Sequence, residues 1–323
     1  MRRPPPVAPG AGFAAAAVLS LLHLPGALAQ PPAPEGVLAS KFVAARSPGS
    51  GRPLRLLHAG DSHVAGGAFP SAVGELLGGV LGSPVQVQRN GVVGARADRV
   101  AGGELEALAR LVRSGRPDMV LLTFGTNEAR ERALEPAAYE AAVGALLARI
   151  RAEAPGAAIV VAGPPEQERR LAGGGFVPVA GVATVAEAQA RVARAAGAVY
   201  VDLSREMGGP GTLGRWAAAR PPLVGPDRVH FTVEGYERLA RLLVARLADL
   251  VNRHLPDVTR AARFDLPKER ARASTVRPAA ADRGAAPAGP ASDLRVYREA
   301  GGRLVLTNLQ SPPATPVLSR VER

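Results

Sequence analysis

Three short stretches carry polar side chains whose types fit one chemistry. His58-Ala59-Gly60-Asp61-Ser62-His63, Phe124-Gly125-Thr126-Asn127-Glu128 and Asp227-Arg228-Val229-His230 together supply a hydroxyl, an amide, a carboxylate and an imidazole. Acyl transfer through a serine needs that set as nucleophile, oxyanion donor, base-orienter and base. Each stretch alone is weak. A G-D-S after a strand more often forms a turn or helix cap, G-T-N-E a capped loop, and D-x-x-H a surface turn. The chain has no G-x-S-x-G, so the usual α/β-hydrolase elbow is absent. Their conjunction and order are what inform. Rival chemistries are narrowed by composition. With no Cys there is no thiol nucleophile, disulfide, thiolate zinc site or iron–sulfur cluster, and five His argue against a His-rich metal site. No metal or cofactor is called for.

These residues need a scaffold, and the pattern between 53 and 256 provides one. Apolar runs at Leu54–Ala59, Val85–Val87, Met119–Phe124, Ala158–Ala162 and Ala198–Val201 read as strands. Their continuous apolar character suits parallel strands covered on both faces. Helical periods separate them: Tyr139, Val143, Leu146, Leu147 and Ile150 form one, and Tyr236, Leu239, Leu243, Leu247 and Leu250 another. Thr232 is the expected N-cap of that last helix. The alternation predicts an α/β, doubly wound three-layer sandwich around an approximately five-stranded parallel sheet. In such sheets sites form beyond the carboxyl ends of the strands, where the polar stretches fall.

On these blocks the sequence resembles the SGNH (GDSL-like) hydrolase family, over essentially the whole core. Gly60-Asp61-Ser62 matches the nucleophile block, with Ser62 as nucleophile. Asn90-Gly91-Val92-Val93-Gly94-Ala95 matches the glycine block; Gly94 is chosen as the oxyanion donor, with Gly91 as alternative. Gly125-Thr126-Asn127 matches the asparagine block, and Asp227-x-x-His230 the last. The resemblance implies a flavodoxin-like fold, a Ser62–His230–Asp227 triad and an oxyanion hole from Ser62, Gly94 and Asn127. There are departures: His63 stands where the family name has Leu, Glu128 where many members have Asp, and Arg228 where a small residue is common. With Met207-Gly208-Gly209-Pro210-Gly211 and Trp216 ahead of D-x-V-H, these variants look most like exported peptidoglycan O-acetylesterase-like members. His63 and Trp216 are candidate substrate contacts. His58 reads as a core histidine, Glu128 as an orienter of its loop, and Asp61 as a bond to the turn's own backbone.

The ends read as something other than the fold. Arg2 and Arg3, an apolar run Phe13–Leu22 and Ala27-Leu28-Ala29 compose a signal peptide over 1–29, cleaved after Ala29. The apolar run is shorter than a bilayer span, so no integral membrane segment is expected after processing. Residues 30–52 read as a linker, and 257–292, rich in Pro, Ala and Arg, as a disordered tether. In 293–323, Leu294–Tyr297 and Leu304–Thr307 flank a Gly-Gly turn and predict a short C-terminal hairpin. The net charge of +12 does not signal nucleic acid. Of the 40 basic residues all but Lys41 and Lys268 are Arg, the codon bias of a GC-rich genome, and aromatics at 4% are too few for base stacking. Part of the excess lies in the tail, where 257–323 holds 12 basic against 7 acidic residues.

The expected protein is therefore an exported, periplasmic or cell-envelope serine esterase of a bacterium. Its expected substrate is an acylated cell-wall glycan, losing O-acetyl or another short acyl group, or a small ester. Alternatives are a lipase, lysophospholipase or thioesterase of the same family, an O-acetyltransferase, and a non-catalytic wall-binding module. A shallow, open cleft would favour acetyl; a large apolar cleft behind Ser62 would favour a long chain.

Overall fold

Four short, largely apolar runs and one alternating edge segment make five strands of one parallel sheet. The computed structural model describes residues 33–46, 52–100, 103–255 and 263–267, and the strands 295–298 and 304–307. The sheet holds β1 (Leu54–Gly60), β2 (Val85–Gly91), β3 (Met119–Thr123), β4 (Ala158–Ala162) and β7 (Val199–Val201), in the order β2-β1-β3-β4-β7. Side chains alternate between two apolar layers, as the strand period requires. Leu56, Met119, Leu121 and Val160 face one layer, and Leu57, Val120, Leu122 and Ile159 the other. Edge strand β2 alternates instead, with half-buried Val85 and Val87 and exposed Gln86 and Gln88.

Helices cover both faces. The first layer is closed by α1 (Pro34–Arg46), α3 (Ala68–Leu81) and α9 (Val233–His254), the second by α4 (Gly103–Gly115), α5 (Pro136–Glu153) and α6 (Gly181–Ala195). In α9, buried Tyr236, Leu239, Leu243, Leu247 and Val251 recur on one face, while Leu250 is half-buried. Thr232 caps it as expected, its Oγ1 accepting from the Gly235 N–H at 3.1 Å. Since β1 lies between β2 and β3, the chain reverses its direction of travel at β1, leaving a crevice between the carboxyl ends of β1 and β3.

Two expectations are corrected. Part of the 30–52 linker is helix α1, which buries Leu38, Ala39, Phe42 and Ala45 against the first layer. The apolar i, i+4, i+7 spacing outweighs the Pro-rich flanks once a sheet face is there to receive it. The 257–292 tether also contains a docked stretch, residues 263–267. Phe264, the only aromatic in that range, is buried edge-on to Phe42 with ring centroids 5.5 Å apart, and the Arg46 guanidinium lies 3.6 Å from its ring centre. Asn252 holds its backbone on both sides, accepting from the Phe264 N–H and donating to its carbonyl, each at 2.9 Å.

Outside the main sheet, β5 (Glu168–Arg170) and β6 (Phe176–Pro178) form an antiparallel hairpin turned by Gly174 and Gly175, both at positive φ. The predicted C-terminal hairpin pairs β8 (Arg295–Arg298) with β9 (Leu304–Thr307). The expected signal peptide, residues 30–32 and 47–51 of the expected linker, and most of the expected tether lie outside the described residues. Among the described residues no helix is long and apolar enough to cross a membrane.

Candidate active site

Ser62 reaches the crevice because β1 ends in residues that let the chain turn tightly. A Cβ on Gly60 would lie 2.2 Å from the Thr123 carbonyl oxygen, so only glycine fits there. Asp61 then accepts from the His63 N–H at 3.0 Å, capping the one-turn helix α2 (Ser62–Ala65) that Ser62 begins. The two alternative glycines separate here. Gly91 is pressed on α2, where a Cβ would meet the Ala65 nitrogen at 2.1 Å. Gly94 sits in an open turn at φ +77°, with free space around it.

The loop between the short helix α8 (Thr212–Ala218) and α9 brings the other two groups. The Ser62 hydroxyl lies 2.9 Å from His230 Nε2, and His230 Nδ1 lies 2.6 Å from Asp227 Oδ2. The carboxylate fixes the tautomer: Nδ1–H donates to Asp227, so Nε2 accepts from Ser62. Asp227 Oδ1 in turn accepts from the backbone N–H groups of Val229 and His230, each at 3.0 Å. Burial disfavours the Asp227 charge, but the bonds from His230 and these two N–H groups outweigh it and hold the carboxyl below its usual range. Both side chains stand close to half-exposed, His230 at 45% and Asp227 at 49%.

Asn127 follows β3 on the other side of the crevice. Its Nδ2 donates one N–H to the Ala95 carbonyl at 2.8 Å. Next to it, the fully buried Glu128 accepts from the Ala97 N–H at 2.7 Å. Two adjacent residues thus grip the loop that carries Gly94. Burial is the main influence on Glu128, pushing its pKa up to about 7 against the lowering effect of the Ala97 bond.

The structure sets Ser62, His230 and Asp227 in one hydrogen-bonded chain with Asn127 across the crevice, but His63 departs from the sequence expectation. It is buried and cannot line a substrate cleft. Its Nδ1 lies 3.0 Å from the Tyr236 hydroxyl, and its ring centre is 5.4 Å from that of His230, so it floors the histidine. Its backbone N–H bonds Asp61 and its Nδ1 faces Tyr236, while the buried Nε2 has no hydrogen-bond partner among the described residues. Burial holds its imidazole below the ordinary pKa, although Asp61 opposes this. Trp216 stands half-buried, edge-on to Phe231 at 5.7 Å. His58 is the core histidine expected, 2.9 Å from Thr123 Oγ1 and lowered by burial to a pKa of about 3. The supporting roles of Tyr236, Glu168 and Phe176 were not foreseen; Arg228 had signalled itself only as an unusual residue inside D-x-x-H. Among the described residues no cluster of His, Asp or Glu is arranged to hold a metal ion.

The family profile described as GDSL-like lipase/acylhydrolase matches residues 59–238, more than half of the chain. The chain belongs to that family. As a GDSL-like hydrolase it is a serine hydrolase acting on ester bonds. No curated relative matches it at the sequence level. Among solved structures, one titled as a peptidoglycan O-acetylesterase in action is similar at 18% identity and TM-score 0.57, covering 67% of this chain and 96% of that one. A putative SGNH hydrolase from Slackia heliotrinireducens is 22% identical, with TM-score 0.44 and coverage of 59% and 97%. An acetyl xylan esterase is 15% identical, with TM-score 0.44 and coverage of 60% and 98%. The first of these likenesses supports the doubly wound fold of this GDSL-like hydrolase, which its own sheet order already displays.

Proposed function

We propose that this GDSL-like hydrolase is an exported esterase that removes O-acetyl or other short acyl groups from cell-wall carbohydrate. His230 takes the Ser62 proton as the hydroxyl attacks the ester carbonyl, and Asp227 stabilises the imidazolium that forms. The oxyanion is met by the backbone N–H groups of Ser62 and Gly94 and by the Asn127 N–H that Ala95 leaves unused. The carbonyl re-forms as the sugar oxygen leaves with the proton from His230. Water then attacks the acyl-enzyme, giving one proton to His230, which passes it to the departing Ser62 oxygen as the bond to the acyl carbon breaks and the carboxylic acid is released.

The observation that carries the short-acyl reading is the exposure of His230 and Asp227, each near one half. An ester carried on a bulky polymer can approach such groups from solvent, and an acetyl group needs no deep apolar channel. The neighbour titled as a peptidoglycan O-acetylesterase makes O-acetylated peptidoglycan the first polymer to test. Export rests on the charged start, the ten-residue apolar run and Ala27-Leu28-Ala29.

The test is hydrolysis of p-nitrophenyl acetate, butyrate and palmitate, followed by acetate release from O-acetylated peptidoglycan. The expected order is acetate fastest, palmitate negligible, with free acetate from the polymer. Preference for palmitate would turn the reading to a lipase. Acetate transfer to a sugar in place of release would turn it to a transferase. Binding to peptidoglycan without any hydrolysis would leave a wall-binding module.

A further inference from the structure

Arg228 sits inside the D-x-x-H block, between the two residues that share the proton, in a conformation that side-chain-bearing residues rarely adopt. Its φ is +58°. That left-handed turn lets Asp227 Oδ1 reach the N–H groups of both Val229 and His230. Something must hold it, and most of the contacts come from one element. The Glu168 N–H donates to the Arg228 carbonyl at 2.9 Å. The Arg228 guanidinium lies 3.5 Å from the Glu168 carboxylate, 3.4 Å from the Leu213 carbonyl and 4.7 Å from the Phe176 ring centre. The pair is shielded, with Glu168 8% and Arg228 23% exposed, so solvent screens it less than a surface pair. Phe176 itself is an exposed aromatic at the far strand of the β5–β6 hairpin.

The root of the same hairpin holds the opposite wall. Buried Gln167 donates from Nε2 to the Thr126 carbonyl at 2.9 Å, one residue before Asn127. Arg130, at the end of that turn, donates to Gln167 Oε1 at 3.1 Å. Gln167 and Glu168 are consecutive, so one dipeptide ties the Asn127 turn to the Asp227–His230 loop.

We propose that the β5–β6 hairpin is a cross-brace of the active site and that Arg228 is a positioning residue, fixing Asp227 and His230 against Ser62. The inference rests on the triad proposed above, and it adds an element that lies outside the four motif blocks. The contacts of Arg228 run to Glu168, Leu213 and Phe176 and away from Ser62, so it acts through the shape of the loop. Misplacing a reacting group by a fraction of an ångström is costly for turnover, because the barrier rests on pre-set geometry.

The test uses three variants of the full chain with p-nitrophenyl acetate, measuring kcat, KM and Tm. Arg228→Gly tolerates the positive φ and removes only the side-chain contacts. Glu168→Gln and Phe176→Ala weaken the brace from the hairpin side and leave the D-x-x-H residues in place. Each is expected to lower kcat by about tenfold with KM within about twofold, and Arg228→Lys to recover part of the loss by restoring the charge. Wild-type kcat in Glu168→Gln and Phe176→Ala overturns the brace, whatever Arg228→Gly does. If Arg228→Gly fails to fold, those two variants decide alone. Ser62→Ala run alongside separates the two layers of inference. An inactive Ser62→Ala with fully active brace variants refutes the brace only, whereas an active Ser62→Ala refutes the triad beneath it.

Discussion

Asn127→Ala separates a transition-state contact from a loop tie, because the amide has two N–H groups and the fold uses one. The bond to the Ala95 carbonyl at 2.8 Å is present with or without substrate. A neutral hydrogen bond of this kind has a net worth of about 1 kcal/mol. For a domain of this size its loss lowers Tm by about 2–4 °C. The second N–H meets charge that exists only while the ester carbonyl is tetrahedral. Losing such a donor costs roughly 10²–10³-fold in kcat, or about 2.7–4 kcal/mol. The two effects therefore fall on different measurements: a small change in Tm, a large one in kcat, and KM little altered. Asn127→Asp sharpens the comparison, since it keeps the shape but points negative charge at both the oxyanion and the Ala95 carbonyl. It should be slower than Asn127→Ala on p-nitrophenyl acetate. A kcat for Asn127→Ala within about threefold of wild type, with the expected fall in Tm, would refute the reasoning and leave Asn127 as a loop tie only.

Ser62→Ala should abolish ester hydrolysis with an unchanged circular dichroism spectrum, because a half-buried strand-end hydroxyl contributes little to the core. Asp227→Asn should slow kcat by up to about 10⁴-fold by disturbing the His230 tautomer, and a loss under about tenfold would show that solvent can replace the carboxylate. His63→Leu removes one partner of the Tyr236 hydroxyl beneath His230; it should lower stability by about 1–3 kcal/mol in denaturant titration while the acetate-to-butyrate preference stays fixed. Glu128 has a folded pKa of about 7 against an ordinary 4.5, so the folded state holds an extra proton between those values. Stability from this group is full below about pH 4.5 and declines by about 3 kcal/mol as pH rises to about 7. Glu128→Gln keeps an acceptor for the Ala97 N–H and should flatten that decline; an unchanged difference in stability between pH 5 and pH 8 would count against the buried, proton-retaining carboxyl.

Hydrophobic order along the chain determined the strands of the sheet and the two covering helices α5 and α9. Leu54–Gly60, Met119–Thr123 and Ala158–Ala162 are strands almost to the residue, because both of their faces are largely buried and most of their side chains are apolar. The capping of α9 by Thr232 was equally legible, since a cap is a local hydrogen bond between neighbours. Ser62, Asn127, Asp227 and His230 stood out in the sequence as candidates, since they lie in stretches where packing asks for no polar group, and the fold brings them to one crevice. What depended on distant partners was hidden. Helix α1 and residues 263–267 gain their stability from each other and from the sheet, 217 residues separating Arg46 from the Arg263 carbonyl it bonds. His63 stands beside the nucleophile in sequence, yet only Tyr236, 173 residues on, shows that it turns inward. The brace around Arg228 joins residues 60 positions apart, and no local pattern marks it. The sequence determined these elements because hydrophobic period and helix-cap hydrogen bonds act between near neighbours. The tertiary structure decided which polar groups face the crevice and which support it, because burial and long-range hydrogen bonds exist only once the chain has closed.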